Sequence, residues 1–351
     1  MGLTPRKLQV LAAIVDLYIK NGEPVGSKAV CNLLGNAYSS ATIRNDMSEL
    51  SEQGYLEQPH TSAGRIPSHK GYRLYIDRLM QPKPLSERDK QELQDLFPHD
   101  VGEPEELVNA VGRALAEFTR YASIATTPVD EEARIQRIEL IPMTKRLFLF
   151  VLLTSAGLMK SRPAKLDNEL TTEQLELFIR CANAQLEGML VSHVTPATTQ
   201  TMAAALGEHA LSLAPLMDVL SELVREATES QIKLGGEANL LIHRELGHNK
   251  ARELLQFLAR HDLLLSLLSR SDHHTNVFIG EETQEDALDH SSIVSSQYRL
   301  GGKDLGYIGI IGPTRMDYSR LIPSIEYFAT LMGQFLAEAT DQEEWRVDNH
   351  G

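Results

Sequence analysis

One stretch constrains the fold more than any other. Residues 39–73 read SSATIRNDMSELSEQGYLEQPHTSAGRIPSHKGYR. The first half places Ile43, Met47 and Leu50 on one thin apolar stripe, which predicts a helix over 40–53 closed by Gly54. The second half is basic, polar and rich in turn residues, with almost nothing to fill a core. Tyr55, Leu56 and Ile66 are its few apolar anchors. They predict a strand over 55–59, a polar tip at HTSA and a return strand over 64–68, that is, a β-hairpin.

Upstream, Thr4 caps a first helix with Pro5 in its first turn, and Leu8, Leu11, Val15 and Tyr18 line one face. NGEPVG stops it, and a short helix follows from Ser27 to Gly35. Two helices, a tight turn and a third helix make a helix-turn-helix pattern, and the hairpin after it makes a wing. At 100° per residue, Ala41, Arg44, Asn45 and Ser48 lie opposite the apolar stripe of the third helix. A small alanine admits close approach, arginine forks onto a guanine edge, and asparagine onto adenine. Ser39, Ser40 and Thr42 stand at the helix start, where the dipole favours phosphate. His60, Thr61, Ser62, Arg65, His69, Lys70 and Arg73 are the wing residues expected on phosphates or in a minor groove. Asp46 and Glu49 would repel DNA, so Asp46 is expected to pair internally and Glu49 to sit at the distal end of the helix. An ordinary three-helix bundle would share the helical pattern, and a flexible loop would share the polar arm. The apolar anchors of the arm favour the wing.

Charge divides along the same line. The first 80 residues hold nine basic groups and seven acidic ones. Of the 34 basic and 48 acidic groups in all 351 residues, 25 and 41 therefore fall in the remaining 271. A slightly basic head precedes a strongly acidic body, which leaves contact with nucleic acid to the head. Cys31 and Cys181 are the only cysteines, which suits a reducing cytoplasm. Asp16 and Lys20 interrupt the apolar N-terminal run, so a signal peptide is not expected, and LFLFVLL is far too short to span a bilayer.

Beyond the head, residues 81–103 read as a Pro-rich, charged linker into a polar helix. A helix with Leu107, Val111, Leu115 and Phe118 follows. Segments 134–141, 146–154 and 157–166 read as a strand meander, residues 171–268 as helical, and 277–280, 292–301 and 305–313 as strands before a final helix over 318–339. This order implies an α+β domain interrupted by a mainly helical insertion. The expected division is a head over 1–80, a linker over 81–103, an α+β domain over 104–166 and 246–351, and an insertion over 167–245.

No catalytic constellation emerges. IIGPTRMDY lacks the glycine spacing and lysine of a phosphate loop, and Arg315 and Asp317 are expected to pair or to cap the last helix. His243, His248, His261, His273, His274 and His290 have no zinc-site spacing. No enzyme activity, metal or cofactor is expected. The strings SSATIRNDMSELSEQGYLEQPHTSAGRIPSHKGYRLYID, VFIGEE and YIGIIGPTRMDYSRLIP resemble the heat-inducible transcription repressor family, HrcA. That resemblance implies a winged helix, a GAF-like domain and an inserted dimerisation domain. It also implies a homodimer on an inverted-repeat operator (CIRCE), control of chaperone operons, and feedback from the GroEL chaperonin. A GAF-like domain that binds a metabolite and regulates the head is the competing expectation.

Overall fold

The computed structural model describes residues 3–60, 63–96, 104–130, 132–155, 159–166, 169–270 and 273–348. The head comprises α1 (Pro5–Asn21), α2 (Ser27–Leu33), α3 (Ser40–Glu52), β1 (Leu56–Glu57), β2 (Ile66–Pro67) and α4 (His69–Leu74), which runs into a π-helical turn at Tyr75–Leu79. Thr4 caps α1, its side chain accepting from Lys7 N, and Gly22 ends the helix in the left-handed region at φ 71°. Val10, Leu11, Ile14, Val30, Ile43 and Leu50 are fully buried between the three helices.

The body is built on a five-stranded, all-antiparallel sheet in the order β7-β3-β10-β9-β8. Its strands are β3 (Ala122–Thr126), β7 (Ile232–Gly235), β8 (Thr275–Ile279), β9 (Ser291–Leu300) and β10 (Lys303–Pro313). The two-residue period sorts their side chains. Ala125, Val294, Ile308 and Ile310 face α6 (Pro104–Thr119) and α12 (Tyr318–Asp348). Ala122, Ile124, Ile293 and Ile311 face Leu254, Phe257, Leu264 and Leu268 of α10 (Gly247–Leu258) and α11 (His261–Leu268). The core of the head is continuous with the α6–α12 side of the body.

A second unit has its own sheet and core. It contains β4 (Ile135–Pro142), β5 (Leu147–Thr154), β6 (Met159–Lys165), α7 (Thr172–Leu186), α8 (Pro196–Leu206) and α9 (Ala210–Thr228). Phe148, Phe150 and Leu152 point toward the helices, while Leu147, Leu149, Val151 and Leu153 point the other way and are only half-buried.

Strand pairing divides the chain differently from the expected 104–166 and 167–245. β3 pairs antiparallel with β7, Thr126 opposite Ile232, so the chain leaves the five-stranded sheet after 126 and returns at 232. The neck is closed by Thr127 N donating to Gln231 O at 2.9 Å and Ser230 Oγ donating to Thr127 O at 2.8 Å. The β4–β6 meander therefore belongs with the inserted helices. An alternating pattern marks a strand but does not name the sheet it joins.

The expected linker lies along the body. Within it, α5 (Glu87–Leu96) buries Leu93 completely, Gln94 Nε2 donates to Tyr327 Oη at 3.1 Å, and Lys83 N donates to Ser319 O at 2.9 Å. Residues 97–103 fall outside the described part. Among the described residues no helix is long and apolar enough to cross a membrane.

Candidate nucleic-acid interface

The surface is built on α3. Its buried side is Ile43, Met47 and Leu50, as the periodicity requires, and Asp46 joins them at 1% exposure. A lone buried carboxylate would cost several kcal/mol, on the order of what a broken buried pair costs. Arg6 from the first turn of α1 prevents this: Nε donates to Oδ2 at 2.7 Å and Nη2 to Oδ1 at 3.0 Å. That fork also raises the Arg6 pKa above its usual range. Lys7 Nζ pairs in the same way with Glu49. Asp46 and Glu49 are thus neutralised from behind by adjacent cations of α1, while Glu52, in the last turn of α3, is exposed.

On the opposite side, Ala41, Arg44, Asn45 and Ser48 are exposed. The helix start is held by hydroxyls. Ser39 Oγ accepts from Thr42 N at 3.1 Å and lies 2.9 Å from Thr42 Oγ1, while Ser40 Oγ meets Ser27 Oγ of α2 at 2.9 Å. Ser39, Ser40 and Thr42 therefore work first as a cap and a brace for α3. Lys28 of α2, next to that brace, is exposed as well.

The wing is short and firmly rooted. Leu56 pairs with Pro67 and Glu57 with Ile66. A third strand-like contact comes from the α1–α2 connection: Val25 and Arg65 exchange backbone hydrogen bonds of 2.8 and 2.9 Å. Gly64 allows this approach, because a Cβ there would lie 2.4 Å from Val25 O. His60 is exposed near the tip; Thr61 and Ser62 lie outside the described residues. Arg65 Nε donates to Ser51 Oγ at 2.9 Å, which holds the root of its guanidinium against α3. Lys70 Nζ donates to Gln53 O at 2.9 Å and sits 4.4 Å from the Tyr55 ring centroid, at the C-terminal end of α3.

Two expected wing residues do not share this surface. The His69 ring packs on Gly280 of the body, where a Cβ would lie 2.3 Å from its Cε1. Arg73 donates from Nε to Glu282 Oε1 at 2.8 Å, from Nη1 to Asp77 at 3.3 Å, and from Nη2 to Val277 O. The reason is geometric. Once Ser68 caps α4, its Oγ accepting from Gly71 N at 3.1 Å, that helix packs on the body and carries both side chains with it. Arg6, Lys7 and Lys28 are the residues that the sequence reading passed over. The signal for the first two was Asp46 and Glu49 on α3, which pair with them.

No group of three or more His, Cys, Asp or Glu among the described residues could hold a metal ion. The HrcA DNA-binding winged helix-turn-helix model matches residues 2–78, and the HrcA C-terminal domain model matches residues 105–322. A heat-inducible transcription repressor HrcA of Halalkalibacterium halodurans is 32% identical over 341 residues, covering 97% of this chain and 99% of the relative. The protein of that name from Natranaerobius thermophilus is 34% identical over 345 residues, covering 98% and 100%. A crystal structure of a hypothetical protein superposes with a TM-score of 0.67 at 28% identity, covering 96% of this chain and 100% of that one. The two relatives from Halalkalibacterium halodurans and Natranaerobius thermophilus are named as repressors and not as enzymes. With a winged-helix head and a match over nearly its whole length, the chain belongs to the HrcA family of heat-inducible transcription repressors.

Proposed function

We propose that this chain binds double-stranded DNA through α3 and the wing, and represses transcription by occupying an operator. One observation carries the reading. The exposed side of α3 offers Ala41, Arg44, Asn45 and Ser48, while Asp46 and Glu49 of the same helix are paired behind it by Arg6 and Lys7 and the third acid, Glu52, is its last residue. A helix that presents fork donors over its first turns, with Glu52 on the same side only in the last turn, suits the edge pattern of a major groove. Arg65, Lys70, His60 and Lys28 flank it as backbone contacts, and Ser39, Ser40 and Thr42 face the nearest phosphate with the positive end of the helix.

A single head of this size reads few base pairs, so the operator-bound form is a homodimer on an inverted repeat. The outer face of the β4–β6 sheet supports self-association. Leu147, Leu149, Val151 and Leu153 form an apolar row on it, Ile141 lies opposite Leu149, and Met159 lies opposite Leu153. A sheet with one helix-covered face and an outer face whose central row is apolar, flanked by Arg137, Glu139 and Lys165, is a docking surface. Its occupant is a second copy of this chain, and the inserted unit is thereby the dimerisation domain. The five-stranded body is GAF-like on this reading, and the resemblance extends it to a CIRCE-type operator of chaperone operons, to support from the GroEL chaperonin and to a cytoplasmic site of action. The competing metabolite-sensor reading gains no support from the sheet face opposite α6 and α12, which Leu254, Phe257, Leu264 and Leu268 fill.

The test is a gel shift with an inverted-repeat duplex against a scrambled one, with and without chaperonin. Preference for the repeat by at least a hundredfold is expected, because specific sites exceed non-specific ones by about 10³ or more. Equal retention of both duplexes refutes sequence-specific binding. A chaperonin that leaves retention unchanged refutes the feedback.

A further inference from the structure

Winged heads joined to effector bodies by free linkers tolerate many half-site spacings. This head is not joined in that way. Two arginines cross the seam between head and body in opposite directions. Arg73 leaves the head on α4 and reaches the body, bonding Val277 O on the edge strand β8 and both oxygens of Glu282. Glu282 is itself fixed, since its Oε2 accepts from Ile279 N at 2.9 Å. Arg315 leaves the body in the turn between β10 and α12 and reaches the head. Its Nη1 donates to Ile19 O at 2.6 Å, and its Nη2 pairs with Glu245. Ile19 O is one of the last-turn carbonyls of α1, which the helix cannot satisfy itself. The guanidinium lies over the helix end, its Cζ 3.3 Å from where a Cβ on Gly22 would stand. A cation there also meets the negative end of the α1 dipole.

Each arginine therefore binds one backbone carbonyl of the opposite unit together with a carboxylate. Between them Tyr72 of the head and Tyr318 of the body, both buried, meet edge to face at 6.0 Å between ring centroids. The chain leaving the head is tied down as well, through Lys83 N to Ser319 O and through buried Leu93. Apolar contact alone is non-directional and lets surfaces slide. Charged hydrogen bonds to fixed carbonyl and carboxylate oxygens do not, and setting register is the best-attested use of such polar contacts.

We propose that Arg73 and Arg315 are positioning residues that hold the head at one attitude on the body and so set the half-site spacing the dimer accepts. The proposal rests on the reading of the chain as a dimeric DNA-binding protein. Each base pair added between half-sites rotates one of them by about 34° and shifts it by about 3.4 Å relative to the other. A head held by the Arg73 fork and by the hydrogen bond from Arg315 to Ile19 O cannot follow that rotation. A released head can, at the cost of the effective concentration that fixed geometry confers on the second head.

The experiment uses full-length protein with Arg73→Ala, Arg315→Ala, the double variant and Arg73→Lys. Each is titrated against an isolated half-site and against inverted repeats whose spacer is native or altered by one, two or five base pairs. Sedimentation reports the dimer. Wild type should lose about tenfold or more in affinity on spacers altered by two. The double variant should bind the native spacer about tenfold more weakly and accept all spacers within about threefold, with half-site affinity unchanged. Arg73→Lys keeps the charge but not the fork, so its profile should broaden while its fold is retained. Unchanged half-site binding shows that the variant heads are folded. Folded dimeric variants that keep the wild-type spacer profile overturn the proposal, as does a wild type that tolerates every spacer. If wild type fails to prefer even the half-site over scrambled DNA, the fault lies with the reading of α3 and not with the seam alone.

Discussion

Replacing Arg44 by alanine tests the reading surface most directly. The side chain is exposed on the side of α3 opposite Ile43, Met47 and Leu50, and no intramolecular bond engages it among the described residues. Its removal should leave folding stability within about 0.5 kcal/mol of the parent. A forked arginine–guanine contact contributes about 1–3 kcal/mol of base discrimination. On the proposed dimer two heads share one operator, so the loss counts twice, about 2–6 kcal/mol, or roughly thirtyfold to 10⁴-fold in dissociation constant. Fluorescence anisotropy on the native operator and on single-base variants measures it. One base pair per half-site should lose its preference, with little change in the salt slope, because a base contact releases no counterion. Arg65→Ala should do the reverse. Its guanidinium is rooted against Ser51 beside the wing, and losing one phosphate contact per head lowers the slope by about 1.8 per dimer across all sequences. If Arg44→Ala weakens every duplex equally with a shallower slope, Arg44 sits on phosphate. If it changes nothing, the α3 face is not the reading surface.

Gly71→Ala should destabilise the head by about 1–3 kcal/mol in urea unfolding. The new Cβ would lie 2.2 Å from Tyr55 O, a carbonyl already held by Ser68 N, so neither side can yield cheaply. Leu149→Glu should convert the proposed dimer to monomer in sedimentation and abolish the expected preference for an inverted repeat while half-site binding persists; a dimer that survives would move the interface elsewhere. The Asp89 carboxyl is held below its usual pKa, first by the Ser86 hydroxyl and then by the Ser86 amide. The folded value is the lower one, so this contribution is present above the unfolded value of about 3.9 and fades as pH falls through the folded one. Asp89→Asn should therefore lower the melting temperature at pH 7, and the deficit should shrink in acid below about pH 4.

Much of the head was legible because it obeys local rules. Thr4, Pro5 and Gly22 bound α1, and the stripe Ile43–Met47–Leu50 sets which side of α3 is free. Strands β4, β5, β6, β8, β9 and β10 announced themselves by β-branched or alternating residues. The two missed strands carry no such mark. β3 is ASIAT, small and buried along its whole length, and β7 is only IKLG. Their pairing defines where the insertion begins and ends, so missing them misplaced its limits. Arg73 shows a different blindness. A basic residue in a basic run resembles its neighbours, and only the packing of α4 against β8 decides that it serves a body carboxylate.

The same pairing resolves how so acidic a chain can approach DNA. At physiological salt the Debye length is about 8 Å, so the excess negative charge of the body is screened over most of its distance from a bound duplex. What the phosphates meet is the local field of the head, and that field depends on which charges are already cancelled. Arg6 with Asp46 and Lys7 with Glu49 form two neutral pairs behind α3, and Arg73 is spent on Glu282 across the seam. The cations Arg44, Lys28, Arg65 and Lys70, against the exposed acids Glu52 and Glu57, are the charges left at the surface. Had Asp46 or Glu49 lacked its partner on α1, a second carboxylate would join the exposed Glu52 of α3, and the local positive field of the head would be weaker.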